Sequence, residues 1–237
     1  MHQVCSCFSC GSLSRRNLFW AGMGAVAATA SVSAARAQPA RSADTPDAAF
    51  ARLMEGNARY VAGNLNERDF SSGRAARAKG QAPFAAILGC ADSRVAPELV
   101  FDEGSGELFV VRVAGNFVTP DGLGSLEFGV AVLGAKVIMV LGHTSCGAVN
   151  GTVEALQKGN SLPGHIADVV NGMKPGIEPI VKAGGTDLEQ RSVVANVQAN
   201  VRRLQAEKPI LADRVAAGKL KVVGAYYDLS TGKVVLV

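Results

Sequence analysis

From residue 84 to the C-terminus, short apolar runs alternate with longer stretches whose apolar positions recur every three or four residues. The runs at 84–89, 108–113, 137–142 and 220–227 are bounded by turn residues and are apolar on successive positions, the pattern of strands buried on both faces. The stretches 123–133, 149–157 and 188–204 carry helical periodicity. This order predicts an α/β domain with a mainly parallel central β-sheet flanked by helices. Residues 234–237, after the turn Ser230-Thr231-Gly232, are expected to return as an antiparallel edge strand. Upstream, Thr45-Pro46 has the form of an N-cap followed by proline at the first helical position. Phe50, Leu53, Met54, Tyr60 and Val61 then recur at helical spacing before Gly63, which predicts an N-terminal helical arm. Residues 64–82 are polar, with scattered Arg and Gly, and read as an irregular connector with room for a short helix.

The first 37 residues follow a different pattern. Ser14-Arg15-Arg16-Asn17-Leu18-Phe19 matches a twin-arginine export signal, an uncharged Ala-, Gly- and Val-rich stretch follows, and Ala35-Arg36-Ala37 supplies an A-x-A cleavage site. The uncharged stretch is about 18 residues, at the low edge of a membrane span, and is rich in Ala and Gly, so no stable anchor is expected once the signal is cleaved. Residues 1–37 are therefore expected to be removed and 38–237 to form a single domain, periplasmic or secreted. The twin-arginine route resembles that of proteins exported already folded, often with a cofactor loaded.

Composition sharpens this reading. With 48% hydrophobic and 19% charged residues, the 237-residue chain is neither disordered nor collagen-like. Its net charge of +4 is mostly the leader's: Arg15, Arg16 and Arg36 leave with it, so the mature part has 21 basic against 20 acidic side chains. No Lys/Arg cluster interleaved with aromatics remains, which argues against a nucleic-acid partner. Five cysteines, at 5, 7, 10, 90 and 146, are too few for a disulfide scaffold of this length. Cys5, Cys7 and Cys10 go with the leader and have no second ligand cluster nearby.

The two remaining thiols fall where chemistry is expected. In parallel sheets the ligand site lies beyond the carboxyl ends of the strands. Cys90-Ala91-Asp92-Ser93-Arg94 follows the first predicted strand, and His143-Thr144-Ser145-Cys146 follows the third. Two thiolates and an imidazole form the Cys2His set that suits tetrahedral zinc with a fourth position open to water. Three other readings stay open: buried cysteines acting as small hydrophobes with His143 as a helix cap; a thiol enzyme with Cys90 as nucleophile, His143 as base and Asp92 as orienter; and a Cys90–Cys146 disulfide. His165, in Leu162-Pro163-Gly164-His165, fits a helix start as well as a ligand position. The Gly122-Leu123-Gly124 turn lacks the strand and acidic ribose partner of a dinucleotide site.

Taken with Gln81-Ala82-Pro83, Phe109-Val110-Val111-Arg112-Val113-Ala114-Gly115-Asn116 and Gly142-His143-Thr144-Ser145-Cys146-Gly147, these residues resemble the ordered signature of β-class carbonic anhydrases. The resemblance runs from about Asp47 to the C-terminus. It implies a β-carbonic anhydrase-like fold and reversible hydration of carbon dioxide to bicarbonate and a proton. It implies one zinc ion (Zn2+) held by Cys90, His143 and Cys146, with zinc-bound hydroxide oriented by Asp92 and Arg94. Asp92 is also implied as a fourth metal ligand at lower pH, when its contact with Arg94 is lost. Gln81, Phe109, Ala114, Phe128 and Gly147 match substrate-pocket positions, although Ala114 stands where valine is frequent and Phe128 where tyrosine is frequent. A subset of the family has a tryptophan three residues before the first zinc cysteine that helps form a regulatory bicarbonate site; Ile87 occupies that place here, so no strong switch of that kind is expected.

The resemblance further implies a homodimer or homotetramer, with the N-terminal helix wrapping a neighbour, the pocket completed at the subunit interface, and Phe128 coming from the partner. Two alternatives share the same ligands: a hydrolase of carbon disulfide or carbonyl sulfide, and a noncatalytic zinc protein that binds bicarbonate.

Overall fold

Thr45 caps the first helix, α1 (Pro46–Val61): its hydroxyl accepts from the Ala48 N–H at 3.2 Å, and Pro46 sits where a missing N–H costs nothing. The computed structural model describes residues 43–71 and 73–237; the leader and its three cysteines lie outside them. The connector contains one short helix, α2 (Arg74–Arg77). Next come β1 (Ala85–Gly89), α3 (Pro97–Val100), β2 (Leu108–Arg112), α4 (Pro120–Ala131), β3 (Val137–His143) and α5 (Gly147–Lys158). The chain continues through α6 (Ile166–Ala183), α7 (Leu188–Ala206), α8 (Leu211–Ala216), β4 (Lys221–Tyr227) and β5 (Val234–Leu236). The sheet order is β2-β1-β3-β4-β5, parallel throughout except for the antiparallel edge strand β5.

Alternation along the strands divides the core between the two faces of the sheet. Ala85, Ile87, Val137, Met139 and Leu141 point to one face, where Ala49 and Leu53 of α1 and Val100 and Phe101 cover them. Ala86, Leu88, Ile138 and Val140 point to the other, under Leu126 and Val130 of α4, Val197 and Leu204 of α7 and Leu211 of α8. A third apolar cluster, from α5, α6 and α7, surrounds Cys90 and Cys146. Ile87 is fully buried at the centre of β1.

Two expectations change. The helical face around Phe50, Leu53 and Met54, read as one for wrapping a neighbour, packs on its own sheet: Leu53 is fully buried, and Phe50 and Met54 are partly buried against the same cluster. The sequence reading also gave no helix over 166–183 beyond a start near His165, because Gly172, Pro175, Gly176 and Pro179 break the pattern. Packing overrides propensity there. A Cβ on Gly172 would lie 2.1 Å from the Phe117 ring, and one on Gly176 would lie 3.0 Å from the Ala199 Cβ, so the glycines permit close approach to the 117 turn and to α7. The exposed His165 ring pairs with Asp168 at 2.8 Å, in keeping with a helix start.

Asn57 of α1 stitches three elements together. Its Nδ2 donates to the carbonyls of Val100 at 3.1 Å and Gly232 at 2.9 Å, and its Oδ1 accepts from the Val234 N–H at 2.9 Å, all in buried or half-buried surroundings. Asn57→Ala strands these backbone groups and is expected to cost about 3 kcal/mol, since each unsatisfied buried group costs roughly 1–3 kcal/mol. Urea unfolding measures this; an unchanged midpoint would contradict the role given to Asn57.

Candidate metal centre

β1 ends at Gly89 and places Cys90 just beyond it, while β3 runs through His143 and the following turn delivers Cys146 as the residue before α5. The register pairs Gly89 with Leu141, so the two segments leave the sheet side by side. From β1 the chain passes to α3 on one face, and from β3 it passes through α5 and α6 to α7 on the other, which makes this the switch point where parallel sheets hold their ligands. The turn after β2 closes the third side: the Ala91 N–H donates to the Val113 carbonyl and the Val113 N–H to that of Gly89, each at 3.2 Å.

The sulfurs of Cys90 and Cys146 are 4.0 Å apart, and with a His143 ring nitrogen they form a set whose ligand atoms all lie within 4.8 Å of one another. All three residues are buried. The separation is far beyond the ~2.05 Å of a disulfide, and both cysteines are free. It lies near the ~3.8 Å expected between two sulfurs each bonded at about 2.3 Å to a tetrahedral zinc. His143 Nδ1 is 2.9 Å from the Thr144 carbonyl, an acceptor, so Nδ1 carries the hydrogen and Nε2 carries the lone pair. Among the described residues Nε2 is buried with no hydrogen-bond partner. An orphaned lone pair beside two thiols is a defect in a metal-free core and a requirement in a metal centre, so these residues fit the implied zinc ion.

The two thiols share their protons unequally. The contact with Cys146 draws the Cys90 thiol down while burial pushes it the other way, and Cys146 is pushed up by Cys90 and by its own burial. The Gly115 N–H adds a contact to the Cys90 sulfur at 3.3 Å.

Asp92 stands at the mouth of the cluster in a two-pronged grip. Arg94 Nε donates to Oδ1 at 2.9 Å and Nη2 to Oδ2 at 2.7 Å, and the Arg94 backbone N–H adds a bond to Oδ1 at 2.9 Å. These bonds hold the Asp92 carboxyl well below the usual carboxylate range despite the opposing effect of burial, so it is ionised throughout the neutral region. Oδ2 lies 3.7 Å from His143 Nε2. The converging donors are thus Cys90, His143 and Cys146, while the Asp92 oxygens are engaged by Arg94.

Of the other pocket residues, Gly147 opens α5 beside Cys146, and Ala114 lies in the turn after β2. Gln81, Phe109 and Phe128 are not brought to this cluster within the chain. Gln81 precedes β1 by four residues and so lies beyond the opposite end of the strand from Cys90, and β1 alone spans about 16 Å at ~3.3 Å per residue. Phe109 pairs with Ala86 near the start of β1, and its ring lies 6.5 Å from that of the half-exposed Phe128 on α4. The resemblance already implies a pocket completed at a subunit interface with Phe128 from the partner, and motif order alone does not show which subunit supplies Gln81 or Phe109.

Sequence reasoning left unassigned the residues that shape the third side. Asn196, Asn200 and Arg203 of α7 bind the turn after β2: Asn196 Nδ2 donates to the Gly115 carbonyl at 2.8 Å, Asn200 Oδ1 accepts from the Val118 N–H at 2.8 Å, and Arg203 Nη1 donates to the Val118 carbonyl at 2.9 Å. Their spacing of four and three residues was visible as one polar stripe on a predicted helix.

A carbonic anhydrase family model matches residues 85–234. The chain belongs to the carbonic anhydrase family. It is 43% identical over 195 residues to carbonic anhydrase 2 of Mycobacterium tuberculosis, covering 81% of this chain and 92% of that one. It is 41% identical to a carbonic anhydrase of Mycolicibacterium smegmatis, covering 81% and 93%. Among solved structures, the β-carbonic anhydrase CcaA superposes with a TM-score of 0.62 at 29% identity, over 78% of this chain and 86% of that one. A Coccomyxa β-carbonic anhydrase in complex with acetazolamide gives 0.61, also at 29%, over 79% and 86%. The mostly parallel sheet with flanking helices is the architecture of these β-class enzymes.

Gly115 tests how tightly the third side is built. Its φ is +82°, and a Cβ there would lie 2.2 Å from the Met173 sulfur. Gly115→Ala is expected to cost about 3 kcal/mol through strain and overpacking. Because Met173→Ala removes the clash, the double variant should be destabilised by less than the sum of the single ones in urea unfolding; strict additivity would show that the clash is not the cause.

Proposed function

We propose that Cys90, His143 and Cys146 hold one zinc ion and that the chain uses this centre for reversible hydration of carbon dioxide, giving bicarbonate and a proton. The observation that carries the reading is the convergence of two free thiols and an orphaned imidazole nitrogen beside a carboxylate locked by an arginine. Zinc would supply the Lewis acidity that lets water act as a nucleophile near neutral pH. The chain's own groups do the positioning. Asp92 accepts a hydrogen bond from the attacking water and turns its lone pair toward the carbon of carbon dioxide. Arg94 keeps that carboxylate charged and fixed in orientation. Water oxygen bonds to carbon, and the displaced proton passes to solvent through the open mouth of the site.

The same proposal includes assembly. Gln81, Phe109 and Phe128 match pocket positions yet lie away from their own chain's thiols, and a partially exposed aromatic pair is suited to completing a neighbour's pocket in a homodimer or homotetramer. The Sordaria macrospora β-carbonic anhydrases, alike in fold at 22% identity, are described as tetrameric. Export to the periplasm after folding, on the strength of the twin-arginine leader, completes the reading.

Metal analysis beside stopped-flow carbon dioxide hydration tests the chemistry. Cys90→Ser, His143→Ala and Cys146→Ser are expected to lose zinc. Asp92→Asn is expected to keep zinc and lose about 100-fold in rate, as for loss of a positioned hydrogen-bonding group. Full activity of Asp92→Asn at neutral pH would remove Asp92 from the mechanism. Assembly is tested separately by light scattering on the purified chain, where a dimer or tetramer is expected and a fully active monomer would refute it.

A further inference from the structure

Among the described residues, Arg112, the last residue of β2, forms no ion pair. Its guanidinium instead spans two backbone carbonyls of the neighbouring segment: Nε donates to the Cys90 carbonyl at 2.8 Å and Nη2 to the Asp92 carbonyl at 2.6 Å. These residues contribute a thiol and a carboxylate to the site. Arg112 thus grips the short Cys90-Ala91-Asp92 segment from outside, at its first and third peptide units, while its stem passes over Gly89, where a Cβ would come within 4.0 Å of the Arg112 Cγ. The register places Arg112 opposite Gly89, so the grip acts from the strand adjoining the segment.

The segment has its own bonds inward. The Ala91 N–H is held by Val113, and the Asp92 carbonyl also accepts from the Val95 N–H at 3.1 Å. Those bonds fix its path. Each holds one peptide unit, the Cys90–Ala91 unit through the Ala91 N–H and the Asp92–Ser93 unit through the Asp92 carbonyl, but neither bond ties the two units to each other. A planar fork bridging both carbonyls couples the two units directly, and with them the Cβ positions of Cys90 and Asp92.

We propose that Arg112 is a positioning residue for carbon dioxide hydration, setting the spacing between the Cys90 sulfur and the Asp92 carboxylate by clamping their carbonyls. This rests on the reading of the centre given above. A lysine keeps the charge and much of the stem, but its donors radiate from a single nitrogen and lack the rigid planar fork that meets the two carbonyls from separate nitrogens.

The test compares the zinc-loaded parent chain with Arg112→Lys and Arg112→Ala, reading zinc content, the thermal midpoint, and kcat and KM separately, and repeats the optical spectrum with cobalt(II) in place of zinc. Loss of an outer-shell partner of this kind is worth about 10- to 100-fold. Arg112→Lys is expected to lose about tenfold or more in kcat with KM little changed, to keep its fold, and to show an altered cobalt–thiolate absorption. Arg112→Ala should fall further and recover in part with added guanidinium ion. Arg112→Lys decides the matter even if Arg112→Ala fails to fold. Lysine activity within about twofold of the parent, an unaltered cobalt spectrum, or a loss explained wholly by a lower folded fraction would overturn the proposal. An inactive parent with zinc bound would instead overturn the reading of the centre.

Discussion

Two parallel strands ending side by side are the constraint that the rest of the structure serves. Neighbouring strands lie about 4.8 Å apart, so donors on the residues just past β1 and β3 begin within reach of a common point without a long loop. Such an arrangement leaves backbone groups unpaired where the ladder stops, and burying them is costly. The asparagines of α7 and the exchange between Gly89, Ala91 and Val113 answer that cost. Helices α5, α6 and α7 then pack an apolar wall behind the cysteines, with Gly115 and Gly172 permitting the contact distances it needs.

Charge is used in two distinct ways. Near the thiols, a single carboxylate is held by one arginine at a partly open mouth. Ahead of β2, Asp102 is almost wholly buried at a φ of +47° and is surrounded by Arg59, Arg68 and Asn66, while Arg52 grips Glu103 and Glu107. Burial raises the Glu103 carboxyl more than Arg52 lowers it, so that pair is a poor source of stability. What the network supplies is location: it ties α1 and the chain at 66–68 to the turn before β2.

Most of the sheet was legible because strands buried on both faces write themselves as unbroken apolar runs, and all five fall within a residue or so of the positions read from the pattern. The convergence of Cys90, His143 and Cys146 was legible for the same reason, since strand ends can be read and parallel order places them together. Helix α6 was not, because its glycines and prolines answer to Phe117 and α7, contacts that no local pattern contains. Arg112 stands within a motif whose pattern gives it no role, because a side chain that bonds to backbone carbonyls leaves no partner residue type to search for. Gln81, Phe109 and Phe128 match pocket positions by resemblance, and within one chain the length of β1 separates them from the thiols, because motif order does not show which subunit a residue serves.

The His143 imidazole is oriented by the carbonyl of its own neighbour, Thr144, instead of by a carboxylate side chain. Thr144 is itself anchored, by its N–H on the Tyr227 carbonyl and by its hydroxyl, which accepts from the Leu229 N–H. A peptide oxygen takes up no proton across the range in which proteins stay folded, and replacing the Thr144 side chain does not delete it. The tautomer of His143 is therefore insulated both from acidity and from single amino-acid replacement at its hydrogen-bonding partner, a form of robustness that a carboxylate partner would not provide.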